Sequence, residues 1–226
     1  MGFRDILSNV GNRTAFYEVF EDFFNYTAAD WTITTTEAGA GSATEALTPG
    51  AGGQLLVTNA AGDNDHDFFQ LPSEGFKFAA GKRMYFGIRL QVSDATESDF
   101  IAGLVITDTT PLAHTDGIAF VKDDGDANID FTVTKDSSET ESAAVGTAAD
   151  DTWVTLEFYY NGKTDEDGSS LTGSKIEVFV DGSRVAGVAM TNVPDDEELT
   201  LTFGLQNGEA VAKTMTVDWV RAFVER

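Results

Sequence analysis

Cysteine is absent from the 226 residues of this sequence, which excludes a disulfide framework and a zinc site built on thiolates. The chain is long enough to fold without such a staple, because a domain of this size removes roughly 70–75% of its unfolded surface from water. Histidine is almost as scarce, and the chain has only His66 and His114. A nucleophilic triad built around histidine therefore has few possible members.

Basic residues are few as well. Lysine and arginine total 14 against 38 aspartates and glutamates, so the formal net charge is -24 at pH 7. A surface of this sign repels phosphate groups, and we expect the protein to bind neither nucleic acid nor an anionic membrane. The acidity keeps the chain soluble and suits a salty medium, which screens its self-repulsion.

Long apolar runs are missing too. No stretch approaches the ~18 consecutive apolar residues that cross a bilayer, and the first residues lack the basic start and apolar run of a secretory signal. We therefore expect no membrane span, no signal peptide and synthesis in a host cytoplasm.

Alternation of apolar and polar residues with a period of two dominates what is present. In RMYFGIRLQV, Met84 and Phe86 fall on one face with the later apolar residues, while Tyr85 and Arg89 fall on the other. Such alternation is typical of antiparallel strands with one buried face. The pattern recurs in WVTLEFYY (153–160), LTLTFGLQ (199–206) and TMTVDWVRAF (214–223). In the last of these, four apolar residues are predicted to face one way: Met215, Val217, Trp219 and Phe223.

Turn residues separate these stretches. Asp181-Gly182 in KIEVFVDGSRVAGVA tolerates the positive φ values of a tight hairpin, and no clear window of helical period exceeds about two turns. Short strands without long helices pack as two sheets. We predict an all-β, two-sheet antiparallel jelly-roll sandwich as a single domain over residues 17–226, preceded by an arm or short helix at residues 1–16.

The predicted arm differs from the rest because it carries two arginines on an otherwise acidic chain. It is either a short helix lying on the sandwich or a segment that docks on a partner, and the sequence leaves both open. The candidate partner-binding residues are Phe3, Arg4, Ile6, Leu7 and Arg13.

The order of these segments resembles a known fold. A tryptophan opens 153–160, a glycine-rich turn and KIEVFVDG follow, and the strands at 199–206 and TVDWV at 216–220 close the chain. This is similar to the second half of a concanavalin-A-like, laminin-G-type jelly roll, and the aromatic-rich first strand with Trp31 fits the first half. The resemblance implies the fold but not the function, since the superfamily includes lectins, glycanases, adhesive modules and virion proteins.

A narrower resemblance is to structural proteins of tailed phages, particularly those of marine hosts. Such chains are acidic, lack cysteine and a signal peptide, and consist of one jelly roll with a short leading arm, as this chain does. The resemblance implies a non-enzymatic capsid decoration or cement protein on the virion surface. It would dock on the major capsid protein or another virion protein and form homo-oligomers.

Glycoside hydrolysis would need a carboxylate pair. Laminarinase-type members of the superfamily carry two catalytic glutamates on one strand as E-x-D-x-E, and this sequence has no such run. Retaining glycosidases need two carboxyls about 5–5.5 Å apart, whereas Glu139 and Glu141 are spaced too tightly and residues 195–198 fall in a turn. We therefore expect the protein not to be an enzyme.

A metal site is the next alternative. The stretch AGDNDHDFFQ brings several hard oxygen ligands together, and a second acidic loop follows at 165–169. Calcium prefers such ligands, but Asp and Asn also bond their own backbone in turns, so both interpretations stay open. We expect no obligatory cofactor, with calcium as the one candidate. Its candidate ligands are Asp63, Asp65, Asp67, Asp165 and Asp167.

The alternative function is a lectin-like adhesion module that binds a host surface glycan, with or without calcium. Tyr85, Tyr159 and Phe179 fall on the outward faces of their strands, and exposed aromatic side chains on a sheet mark contact surfaces. They are the candidate glycan contacts, although an outward aromatic can equally anchor a protein interface or lie under loops.

Overall fold

Almost every regular element of the protein is a β-strand. The structure is a computed structural model and describes residues 15–162 and 175–226. Within these residues the helical elements are two 3-10 turns, at 28–30 and 111–113, and neither is long or apolar enough to span a membrane. The strands are β1 (Phe16–Glu21), β2 (Thr32–Thr36), β3 (Thr44–Thr48), β4 (Gln54–Thr58), β5 (His66–Gln70), β6 (Met84–Val92), β7 (Ser98–Val105), β8 (Gly117–Lys122), β9 (Asn128–Lys135), β10 (Ser138–Thr147), β11 (Val154–Tyr160), β12 (Lys175–Val180), β13 (Ser183–Ala189), β14 (Thr200–Asn207) and β15 (Thr214–Glu225).

These strands form two sheets. Sheet A has the order β13-β12-β11-β6-β15-β4-β3, and β1 pairs with the C-terminal half of β15. Sheet B has the order β10-β9-β8-β7-β14-β5-β2. The paired strands run antiparallel throughout both sheets. The predicted two-sheet antiparallel sandwich is confirmed.

The core lies between the sheets and follows the predicted alternation. The inward residues of β6, among them Phe86 and Ile88, are fully buried. Phe86 stacks on Phe158 of β11 with ring centroids 5.4 Å apart. Each such ring pair adds about 0.5–1.5 kcal/mol beyond the burial of its area. The sandwich is therefore held by apolar packing, consistent with the absence of cysteine.

The predicted hairpin between β12 and β13 is present. Asp181 and Gly182 have φ values of 49° and 72°, as a two-residue turn with left-handed central residues requires. Val180 pairs with Ser183 across this turn. The Asp181 carboxylate accepts a hydrogen bond from the backbone N–H of Thr155 at 2.8 Å, which ties the turn to β11.

A β-bulge on β15 corrects one prediction from the sequence. The register with β6 pairs Val217 with Leu90 and Trp219 with Arg89, so Asp218 is an extra residue. Such a bulge changes the direction of the side chains that follow it. The prediction that Met215, Val217, Trp219 and Phe223 face one way is therefore wrong. Met215 and Val217 lie in the core, whereas Trp219 and Phe223 point outward.

Candidate functional site

The outer face of sheet A, which points away from the core, carries the three predicted glycan contacts. Tyr85, Tyr159 and Phe179 alternate with core residues on β6, β11 and β12 and so share this face. Tyr85 and Tyr159 are only 3% and 4% exposed, however, because they pack with Phe16 and Phe223. The rings of Tyr85 and Phe223 stack at 5.0 Å. These tyrosines thus form a packed aromatic layer rather than an exposed platform.

A pocket of about 270 Å³ opens beside this layer. Phe20, at its edge, is 56% exposed, and Trp219 is partly exposed. The pocket therefore combines accessible aromatic surface with charged groups. We call this set of residues the sheet A pocket; it consists of Phe20, Tyr85, Glu157, Trp219 and Arg221.

The backbone register brings these side chains together. β11 places Glu157 opposite Gly87 of β6, and β1 places Phe20 opposite Arg221 of β15. A Cβ atom on Gly87 would lie 2.2 Å from the Tyr85 hydroxyl oxygen and 3.2 Å from the Trp219 ring. Glycine at position 87 is thus what allows the tyrosine and the indole to lie over β6.

Two polar interactions shape the pocket. The Tyr85 hydroxyl donates a hydrogen bond to Oε1 of Glu157 at 2.8 Å. Burial, with the adjacent Glu157 carboxylate, raises the pKa of Tyr85 above its usual range, so the hydroxyl stays protonated. Nε of Arg221 donates to Glu18 at 2.6 Å, and its guanidinium lies 5.8 Å from the centroid of Phe20. A guanidinium has five N–H donors, so this pairing does not exhaust the donors of Arg221.

A second aromatic and charged group extends the surface along β6. The guanidinium of Arg89 lies 4.4 Å from the ring centroid of Trp153, and its Nη1 contacts Oδ2 of Asp218 at 2.5 Å. Arg89 is also the partner of Trp219 in the β6–β15 register. The bulge residue thus anchors the arginine that lies between the two tryptophans.

Most of the sheet A pocket is not predicted from the sequence. Alternation along β11 predicts an outward Glu157 but gives it no role, Arg221 is not singled out, and Trp219 is predicted on the same face as Met215 and Val217. An aspartate beside a tryptophan in an otherwise alternating strand is the one signal that could have indicated the bulge.

The predicted calcium ligands at 63–67 have different environments. Asp63 is exposed, whereas Asp65 and Asp67 are fully buried. Burial alone would raise the pKa of Asp65, but three backbone N–H donors, from Ala38, Gly39 and Gly62, lower it. Asp65 is thus the acceptor that ties two loops together.

Asp67 is held differently. It accepts a hydrogen bond from the Thr35 hydroxyl, and burial raises its pKa to about 7. Within the described residues, no group of three or more acidic or histidine side chains is arranged to hold a metal ion. Asp165 and Asp167 lie outside the described residues, as do the arm candidates Phe3, Arg4, Ile6, Leu7 and Arg13.

Comparisons with known proteins identify the fold. No family model matches the sequence, and no curated protein matches it. An endo-1,3-beta-glucanase from Streptomyces sioyaensis has a similar structure, with a TM-score of 0.63 at 13% identity over 93% of this chain and 97% of that one. An endo-beta-1,4-glucuronan lyase from Trichoderma reesei gives 0.57 at 10% identity, covering 90% and 94%. The metal-free carbohydrate recognition domain of Emp46p gives 0.55 at 11% identity, covering 92% and 95%. These likenesses show a concanavalin-A-like jelly roll.

The comparisons contradict the prediction that the protein is not an enzyme. Several of the similar structures are glycan-active enzymes, including glucanases and a lyase. The prediction relied on the absence of E-x-D-x-E, of a suitably spaced carboxylate pair and of a histidine-based triad, and these absences do not represent all the chemistry that this fold supports. We therefore withdraw it.

Proposed function

We propose that the protein binds carbohydrate on the outer face of sheet A, with the sheet A pocket as the centre of the site. The observation that carries this proposal is the juxtaposition of accessible Phe20 and Trp219 with the polar groups of Glu157 and Arg221. An apolar ring face packs against the C–H face of a sugar ring. The carboxylate oxygens then accept hydrogen bonds from the sugar hydroxyls, and the guanidinium N–H groups donate hydrogen bonds to them.

The shape of the surface supports a chain of sugars rather than a single one. Trp153 and Arg89 continue the aromatic and charged surface beyond the pocket. In a binding site, a few precisely placed polar groups among aromatic side chains fix the orientation of the ligand. The similar structures include a protein whose name describes carbohydrate recognition and several named for action on glucans, which is consistent with this ligand class.

The test is binding of the full chain to a panel of soluble polysaccharides that includes β-1,3-glucan, mixed-linkage glucan and glucuronan. We expect W219A to weaken the binding about tenfold, which corresponds to about 1.4 kcal/mol of lost contact. Phe20→Ala should weaken it in the same direction. Phe24→Ala is the matched control, since Phe24 is 69% exposed but does not line the pocket.

Two results would contradict the proposal. The wild-type chain could bind no polysaccharide in the panel, or W219A and F20A could bind as well as F24A does. Release of shorter sugars from the same panel would show whether a bound glycan is also cleaved.

The virion location, the capsid-protein partner and homo-oligomerisation stay predictions from the sequence resemblance. They have their own experiment, which is co-sedimentation of the full chain and of a variant lacking residues 1–16 with phage capsids.

A further inference from the structure

The outer face of sheet B carries a second groove, of about 410 Å³. Its floor comes from β8 and β9, where Val121, Thr132 and Thr134 alternate with core residues such as Phe131 and Val133. One wall comes from the 3-10 turn at 111–113 and the histidine that follows it. We call this the sheet B groove; its carboxylates are Asp123, Asp130, Glu139 and Glu141.

The charge of the groove is uncompensated within its own lining. No lysine or arginine is among the described residues that line it. Glu139 and Glu141 are two residues apart on β10 and point to the same side, and Asp130 lies on the neighbouring strand β9. Both glutamates are exposed, and partial burial, followed by the repulsion of Glu141, Asp123 and Asp130, raises the pKa of Glu139. The four carboxylates thus line one groove, and Glu139 is repelled by the other three.

Two buried polar atoms beside these carboxylates lack a hydrogen-bond partner among the described residues. Thr134 is 4% exposed and its Oγ1 is unpartnered. It points into the groove, because Val133 before it lies in the core. His114 is 8% exposed and its Nε2 is unpartnered. Unsatisfied polar groups at such depth are rare in folded proteins, and each calls for an explanation.

The tautomer of His114 decides which of its ring nitrogens is a hydrogen-bond acceptor in the groove. Nδ1 of His114 lies 2.8 Å from the carbonyl oxygen of Pro111, which can only accept, so Nδ1 carries the proton. Burial lowers the pKa of this imidazole and keeps it neutral. Its Nε2 is therefore a lone-pair acceptor without a donor. Together with the four carboxylates, it gives the lining more acceptors than donors, since the side-chain donors are the hydroxyls of Thr132, Thr134 and Ser137.

We propose that the sheet B groove binds the primary ammonium group of an organic cation. An ammonium group supplies three donors and no acceptor, and it brings the positive charge that the described lining residues lack. A bare metal ion fits less well. Among the described residues, no three of these carboxylates and the histidine are arranged to hold a metal ion.

Two classes of ligand carry primary ammonium groups of this kind: amino sugars with free amines, and linear polyamines. Calorimetric titration of the full chain with a glucosamine tetramer, its N-acetylated counterpart, spermidine and calcium chloride distinguishes them. We expect at least one of the two amines to bind and the N-acetylated tetramer not to bind in the groove. Binding of the glucosamine tetramer alone assigns an amino sugar, and binding of spermidine alone assigns a polyamine.

The variant E139Q/E141Q keeps the side-chain shapes and removes two charges, so we expect it to raise the dissociation constant of the amine at least tenfold. The charge-matched control is D63N/E197Q, which changes two exposed carboxylates outside the groove. This control is needed because a chain of net charge -24 attracts any cation.

Thr134→Val is a second variant that keeps the proposal testable if the double variant is unstable. It should weaken amine binding without lowering the melting temperature, because it removes an unpartnered hydroxyl. The proposal is overturned if neither amine binds, if both double variants weaken binding equally, or if only calcium binds. W219A should leave amine binding intact, which separates this site from the sheet A pocket.

Discussion

Deletion of Asp218 tests the bulge on which the sheet A pocket depends. Asp218 is the extra residue between the pairs Val217–Leu90 and Trp219–Arg89. Without it, Trp219 would follow Val217 directly and take the next outward position, so both halves of β15 would keep their register with β6. The other edge of β15 tolerates the change too, since β4 pairs only with its first half and β1 only with its second.

The loss of stability from deleting Asp218 comes from one ion pair, Arg89–Asp218. Arg89 and Asp218 form an ion pair whose side chains are 35% and 16% exposed. Partly exposed pairs of this kind contribute about 0.2–1 kcal/mol. We therefore expect deletion of Asp218 to lower the free energy of unfolding by about 1 kcal/mol or less.

Deletion of Ala222 is the matched control, because no bulge absorbs it. Closing that gap turns either Arg221 or Glu225 toward the core and exposes Val220 or Val224, which are now buried. Exposing one such valine costs about 1.5–3 kcal/mol, and burying a lone charge costs several kcal/mol more. Urea unfolding of both deletion variants measures the difference. Equal destabilisation by the two deletions would refute this account of the bulge.

Two further predictions concern single side chains. Tyr85→Phe removes the hydroxyl that donates to Glu157, so urea unfolding should show the free energy of unfolding lowered by about 1.5–3 kcal/mol. Tyr26→Phe removes a buried hydroxyl without a partner among the described residues and should not lower it. Equal losses in the two variants would contradict the prediction. Asp67 has a pKa raised by burial to about 7, against about 3.9 in an unfolded chain. The stabilisation from its bound proton is therefore full below about pH 4 and lost as the pH rises through about 7. D67N should flatten the fall in melting temperature between pH 4 and 8, and an unchanged slope in D67N would disprove this assignment.

The fold was predictable because its signals are local. Alternation along β6, β11 and β14 and the Asp181-Gly182 turn each depend on a few neighbouring residues. Burial of the outward tyrosines was not predictable, because Phe16 and Phe223 reach them from the two ends of the chain. The sheet A pocket depends on one extra residue, Asp218, which changes the face of every later side chain in β15.

The two outer faces of the sandwich differ in chemistry, and this difference underlies the two proposed sites. Each described arginine lies on a strand of sheet A or directly beside its end, and four of them lie over aromatic rings. A guanidinium is planar and weakly hydrated, so it can stack on a ring and still donate hydrogen bonds. The sheet A face therefore suits ligands that offer both apolar faces and acceptors, such as sugars. The sheet B groove has no such cation among its described lining residues and suits a donor that brings its own positive charge. Mutations that abolish one of the two proposed binding activities should accordingly leave the other intact, as long as the core between the two sheets is preserved.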